Sequence, residues 1–448
     1  MIPTLAELHT ALNEGRATAE KLTDAALAHI ADPAGEGVRV FTKVYSGQAR
    51  AAAQASDLLR GAGLARSAID GLPISIKDLF DVAGETTMAG SVAREGAPVA
   101  TEHAVIVRRL LAAGAVIVGR TNMTEFAYSG LGLNPHYGTP RNPWDRATGR
   151  IPGGSSSGAA VSVSDNMAVA AIGTDTGGSV RIPAALCGLT GFKPTARRVP
   201  LDGALPLATR LDSIGPIARG VACCARLDAI LSADDRPLPV AARLRGMRLA
   251  LPSTIVQDGT DTHVAASFHA ALSRLSAAGV LVEEIALPEF AELAEINATG
   301  GLSGAEAWAW HRRLIERAGD RYDPRVLSRI RRGQSMSAAE FLDLLQARER
   351  WIASVEKRIA GYDALVMPTV PVIAPTLAEL ADDDTYYRTN ALILRNPTFI
   401  NFLDGCALSL PCHAPGTAPV GLMLAAAGGR DRTVLSVGMA VEACLRQA

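Results

Sequence analysis

The stretch MAVAAIGTDTGGSVRIPA (167–184) carries no charge until Asp175 and then gives way to Gly, Ser and Thr. Its first seven residues predict a buried strand, because a short uninterrupted apolar run bounded by turn residues suits a sheet covered on both faces. The run lies inside Gly130–Gly191, a segment so rich in Gly, Ser, Pro and Thr that composition alone suggests a linker. Gly/Ser loops on either side of a buried strand instead read as places where backbone must approach a ligand.

Working outward, the same alternation recurs. Upstream, GLPISIK (71–77) is a short β-like run, His103 to Ala113 has helical spacing, Gly114 closes that helix, and AVIVG (115–119) reads as a buried strand. Residues 1–60 read as helices, with Thr4 and Glu7 fitting a capping box and apolar residues at Leu5, Leu8 and Leu12, then Leu22, Ala26 and Ile30. Downstream of SADDRPLPVAARLRG (232–246), MRLALP, LVEEIALP and YDALVMPTVPV read as strands. His263 to Ala278 and most of 303–360 read as helices, and the chain ends strand, strand, helix. The expected fold class is α/β: a central mixed β-sheet covered by helices on both faces, with N-terminal helices. The seam at 232–246 is short. One domain over 1–448 is therefore expected: a helical part (1–70), a region of Gly/Ser loops (71–230), and a second half (246–448) that completes the sheet and pocket.

Composition narrows the function. Apolar residues make up 48% and charged residues 20%, enough for a large core. Lys and Arg total 44 against 45 Asp and Glu, a net charge of −1, which argues against a nucleic-acid backbone or an anionic membrane as partner. Aromatics at 4% disfavour base-stacking platforms. No run approaches the ~18 apolar residues of a membrane span, and Glu7 precedes any apolar run at the N-terminus, so a cytoplasmic protein is expected. The six cysteines form no C-x-x-C pair and read as small buried hydrophobes. The eight histidines form no H-E-x-x-H, so neither metal nor cofactor is signalled.

Three segments concentrate chemistry: SIKDLF (75–80), PGGSSSG (152–158) and GTDTGGSVRIPA (173–184). Gly154–Gly158 is a literal G-x-S-x-G centred on Ser156, but NPWDRATGRIPG before it has no strand character, as a nucleophile elbow requires. No G-x-x-x-x-G-K-[ST] or strand-linked G-x-G-x-x-G supports nucleotide binding. Taken together, the segments supply an activated serine. A serine needs a base to take its proton, and none of the three segments contains a histidine. Lys77, one of only five lysines, follows the apolar run LPISI, which would carry it out of water. Burial that brings a lysine from ~10.4 to near neutrality makes it a base. Ser179 follows TDTGG, whose successive N–H groups can converge on an oxyanion, and a serine of the GGSSSG loop can relay its proton to Lys77.

These residues resemble the amidase signature family. The resemblance rests on GLPISIKDLFDV (71–82), GRTNMTEFAYS (119–129), PRNPWD (140–145), PGGSSSGAAVSV (152–163), GTDTGGSVRIPAALCGLTGFKPT (173–195) and LDSIGPIAR (211–219). It implies a Ser–Ser–Lys hydrolase of carboxylic amides acting through an acyl-enzyme. Ser179 is then the nucleophile, Ser155, the first serine after the Gly pair, is the relay, and Lys77 is the base. The resemblance further implies a cis peptide at Gly154–Ser155 and an oxyanion hole from Thr176, Gly177, Gly178 and the Ser179 amide. Asp175 is expected to orient the site, Ser156 to shape its loop, and Arg181 to form a structural ion pair rather than clamp a substrate carboxylate. Met123, Phe126 and Tyr128 fall on a segment that lines the pocket in relatives, which suggests a small or aryl amide. Dimers are common in the family, so a homodimer is allowed. SGAEAWAWHRRLIERAGDRYDPRVLSRIRRG (303–333) resembles stand-alone amidases. The alternative is an A-type member of a multi-subunit amidotransferase or hydrolase complex. A scaffold that has lost catalysis is disfavoured because Lys77, Ser155 and Ser179 are all present.

Overall fold

A computed structural model describes residues 3–446. Eleven strands form one sheet: β1 (Phe41–Val44), β2 (Pro73–Lys77), β3 (Val116–Thr121), β4 (Ala170–Asp175), β5 (Thr190–Lys193), β6 (Ser213–Ala218), β7 (Arg248–Pro252), β8 (Leu281–Ile285), β9 (Ala364–Pro368), β10 (Cys406–Pro411) and β11 (Gly421–Ala426). Their spatial order is β1-β3-β2-β4-β6-β5-β10-β11-β9-β7-β8. The sheet is mixed: β3, β2 and β4 run parallel, as do β9, β7 and β8, while β6, β5, β10 and β11 link the two groups by antiparallel pairings. Strands from the second half of the chain thus join those of the first through β5 and β10.

Alternation along the strands buries both faces. Ile117, Ala170, Ile172, Val366, Leu408 and Leu424 enter one apolar cluster, together with residues of helices Val221–Ser232, Thr262–Ala277 and Asp431–Arg446. Their neighbours Val116, Val118 and Ala171 pack oppositely, against helices Ala19–Ala31, Ser46–Gly61 and Ser157–Ser164. Leu365, Met367, Ala407 and Met423 face helices Glu289–Ile296, Ala338–Ile359 and Asp383–Phe402. Such two-sided burial accounts for the continuous apolar runs that the sequence shows.

Thr4 and Glu7 form the capping box expected of the first helix. The expectation of helices throughout 1–60 needs one correction. Phe41–Val44 is an edge strand pairing antiparallel with β3, because FTKV is too short and β-branched to continue a helix. Four of the six cysteines are buried, and none is bonded to another. No described helix is long and apolar enough to cross a membrane.

Candidate active site

Parallel pairing of β2 with β4 sets Ile76 opposite Ile172, so the C-terminal ends of both strands emerge side by side. Within β2 the side chains alternate. Ile74 and Ile76 enter the larger core, while the Ser75 hydroxyl lies 2.9 Å from that of Ser162 on the opposite face. Lys77 shares the parity of Ser75 and so turns toward the PGGSSSG loop. It is fully buried. Its Nζ lies 2.8 Å from Ser155 Oγ and 2.9 Å from Thr174 Oγ1. The adjacent acid, Asp78, is taken up by Arg120 Nε at 2.8 Å and the Gly90 amide at 3.1 Å. Burial therefore dominates and lowers the Lys77 amine to about 7, although Asp175 and Asp212 pull the other way through space. An amine lowered this far is partly uncharged near neutral pH.

The peptide Gly154–Ser155 is cis. The loop is fixed by the Gly154 amide donating to Gly130 O at 2.8 Å and the Thr124 amide donating to Ser155 O at 3.1 Å. The Ser156 amide donates to Ser179 O at 3.3 Å and its hydroxyl to Thr174 O at 3.4 Å. No strand precedes this loop and a helix starts at Ser157, so the G-x-S-x-G match is not an elbow. Gly173 in β4 admits the loop, since a Cβ there would sit 2.6 Å from Ser156 Oγ.

The segment after β4 wraps around the Asp175 carboxylate. Asp175 accepts from the Gly178 amide at 2.8 Å and the Val180 amide at 3.1 Å. Arg181 Nε donates to it at 3.0 Å, Arg181 Nη2 at 2.9 Å and Asn401 Nδ2 at 2.9 Å. Burial opposes this charge, but the contact with Arg181 outweighs it and holds the carboxyl well below the usual range. Arg181 is fully buried in this pair, as expected of a structural ion pair. The expected oxyanion hole needs a correction. The Gly178 N–H is spent on Asp175, which leaves the amides of Thr176, Gly177 and Ser179 as candidate donors.

Thr176, Gly177 and Ser179 line a cavity of about 400 Å³, which helices Glu289–Ile296, Pro324–Arg331 and Asp383–Phe402 also line. Tyr128 lines it as expected, but Met123 and Phe126 do not. Met123 is wholly buried. Phe126 packs edge-on to His311, with ring centroids 4.4 Å apart, and against Tyr322 at 5.1 Å, so it belongs to the core. Sequence reasoning missed Thr174, Asp212, Asn401 and the cavity-lining arginines Arg329, Arg332 and Arg395. Thr174, two residues before Thr176 in GTDTGG, was the one with a local signal. Asp212 accepts from the Thr176 hydroxyl and from the Leu207 and Ala208 amides, and burial raises its carboxyl to about 6.

The family model "Amidase" matches residues 22–435. The chain belongs to the amidase family. This amidase is 37% identical over 410 residues to a 2-amino-5-chloromuconic acid deaminase of Comamonas testosteroni, covering 90% of this chain and 88% of the relative. It is 34% identical to the A-type chain of the glutamyl-tRNA(Gln) amidotransferase of Chloroflexus aggregans, covering 98% and 96% of the two proteins. Among solved structures, an amidase superposes with a TM-score of 0.88 at 32% identity, covering 98% of this chain and 99% of that one. A peptide amidase in complex with the competitive inhibitor chymostatin gives 0.82 at 27%, covering 99% and 97%. The protein is therefore a hydrolase of amide C–N bonds with the fold of that family.

Proposed function

We propose that this amidase cleaves small carboxylic amides through an acyl-enzyme on Ser179. The observation that carries the reading is the buried Lys77 amine, lowered to about 7, at 2.8 Å from Ser155 Oγ. Ser179 Oγ attacks the amide carbon, and its proton passes to Ser155 as the Ser155 proton passes to Lys77. The carbonyl oxygen takes up the negative charge, facing the amides of Thr176, Gly177 and Ser179. One such donor contributes about 10²–10³-fold in rate. Collapse breaks the C–N bond, and the leaving nitrogen takes the relayed proton back. Water then attacks the ester and gives its proton to the same relay. The products are carboxylate and ammonia or amine, and Ser179 is restored. The cavity of about 400 Å³ suits a short substrate. The Comamonas relative, named for deaminating a chlorinated amino acid, supports that size.

The test is ammonia release from a panel of short primary amides by the isolated chain, with Ser179→Ala as control. Turnover by the chain alone, abolished in the variant, is expected. Turnover confined to long-chain fatty amides would contradict the size of the substrate. The alternative, an A-type component of an amidotransferase complex, is supported by relatives that match nearly the whole chain. It would show as an isolated chain inactive on every small amide and active once the other components are added.

A further inference from the structure

The cavity that Ser179 lines also carries three arginines, Arg329, Arg332 and Arg395, and among the described residues no Asp or Glu lines it. Their contacts are with neutral oxygens. Arg329 Nη1 donates to Tyr128 O at 2.7 Å, and its guanidinium stacks 4.7 Å over the Tyr128 ring. Arg395 donates to Asp258 O at 2.8 Å, Val256 O at 3.0 Å and Asn396 Oδ1 at 3.1 Å. Arg332 is exposed and reaches Ala298 O at 3.5 Å. Other arginines nearby are paired: Arg325, one turn before Arg329, meets Asp383 at 2.7 Å, and Arg348 meets Asp404 at 2.6 Å. Among the described residues no carboxylate pairs in this way with Arg329, Arg332 or Arg395. No direct ion pair therefore neutralises these three arginines, although Asp258 attracts Arg395 through space. Arg329 and Arg395 are half-buried, their side chains are already ordered, and some of their N–H donors remain free. Arg395 also lies one helical turn before Thr398, whose hydroxyl touches Gly177 O at 3.5 Å, so charged wall and oxyanion loop share one helix face.

We propose that the substrate is an amide that also bears a carboxylate, which the pocket holds against Arg329 with Arg332 and Arg395 contributing. This rests on the reading that Ser179 cleaves the amide in this cavity. Charge-assisted hydrogen bonds to a partly desolvated guanidinium select for the anion by about 10–100-fold over a neutral isostere.

The experiment compares the monoamide of a short dicarboxylic acid with the neutral alkanamide of equal length. The readouts are kcat/KM in the wild type and the Kd of both amides for Ser179→Ala. The acid should be favoured by at least about 10-fold in both. That preference should reside in KM and shrink with added salt. In Arg329→Gln the acid-to-neutral ratio should fall about 10-fold or more, and in Arg332→Gln and Arg395→Gln by less. Arg329→Lys, which keeps the charge, should retain more of the ratio than Arg329→Gln. A wild-type ratio near one, or a ratio unchanged in all the arginine variants, overturns the proposal. Ser179→Ala that still turned over amides would overturn the reaction reading instead, while its Kd ratio would still report on the arginine wall.

Discussion

Burying Lys77 carries a cost in stability. Its folded amine titrates near 7, against about 10.5 for an unperturbed lysine. Between those values the unfolded chain binds the extra proton, so wild-type stability rises with pH across that window and the full penalty stands below 7. Lys77→Met should abolish turnover and raise the melting temperature at pH 6–7. The gain corresponds to about 2–4 kcal/mol, reduced by the partners left at Ser155 and Thr174, and should vanish by about pH 10. Calorimetric scans of both proteins across that range check this, and equal stability at every pH would refute it. In wild type, kcat/KM should climb from pH 5 to 8, since only the unprotonated amine accepts the relayed proton. A rate that rises toward acid would be inconsistent with the base. Gly178 makes a second residue-level point. Its φ of +122° is one that L side chains rarely adopt, and a Cβ would lie 2.6 Å from both Ile182 Cδ1 and Pro397 Cβ. Gly178→Ala should lower kcat by at least about 100-fold while destabilising the fold by ~1–3 kcal/mol, as read by turnover and thermal unfolding. Lys77 and Ser179 were legible because apolar runs and a Gly pair flank them. Phe126 was misread because a pocket segment and a core segment look alike until Trp310, His311 and Tyr322 are seen around its ring.

At the scale of elements, helix Asp383–Phe402 ties the second half of the chain to the catalytic loop. Asn401 Nδ2 donates to the Asp175 carboxylate, and Pro397 O accepts from Arg181 Nη2 at 3.0 Å. Removing the Asp175 carboxylate would leave Arg181 buried without its countercharge. Asp175→Ala should therefore cost about 3–5 kcal/mol of stability. It should also lower kcat more than it raises KM, because the loop carrying Ser179 loses its anchor. Urea unfolding with steady-state kinetics separates the two effects, and a stable variant with normal kcat would contradict the anchoring role. This helix was not legible in the sequence. Asn390, Asn396, Pro397 and Asn401 break its apolar pattern, and those residues are explained by partners distant in the chain. The capping box at Thr4 and the strand at 170–175 were legible because their signals are local.

Across the whole molecule, strand order brings together what the chain separates. β2 lies between β3 and β4, which sets Lys77 beside Thr174, and helix Asp383–Phe402, which bears Arg395 and leads into β10, lies against the loop after β4. Runs of apolar residues announce strands but not their neighbours, so the sheet was predictable as a class and its order was not. A second buried lysine, Lys193, offers an internal comparison. Its Nζ donates to Pro194 O at 2.6 Å and Gly405 O at 2.7 Å, both backbone carbonyls rather than hydroxyls, and burial lowers it to about 8. With only five lysines in the chain, carbon-13 labelling at lysine Cε gives a spectrum simple enough to follow by NMR against pH. One resonance, lost in Lys77→Met, should titrate near pH 7. If that resonance instead titrates near 10, Lys77 is a protonated cation at working pH and the proposed serine activation fails.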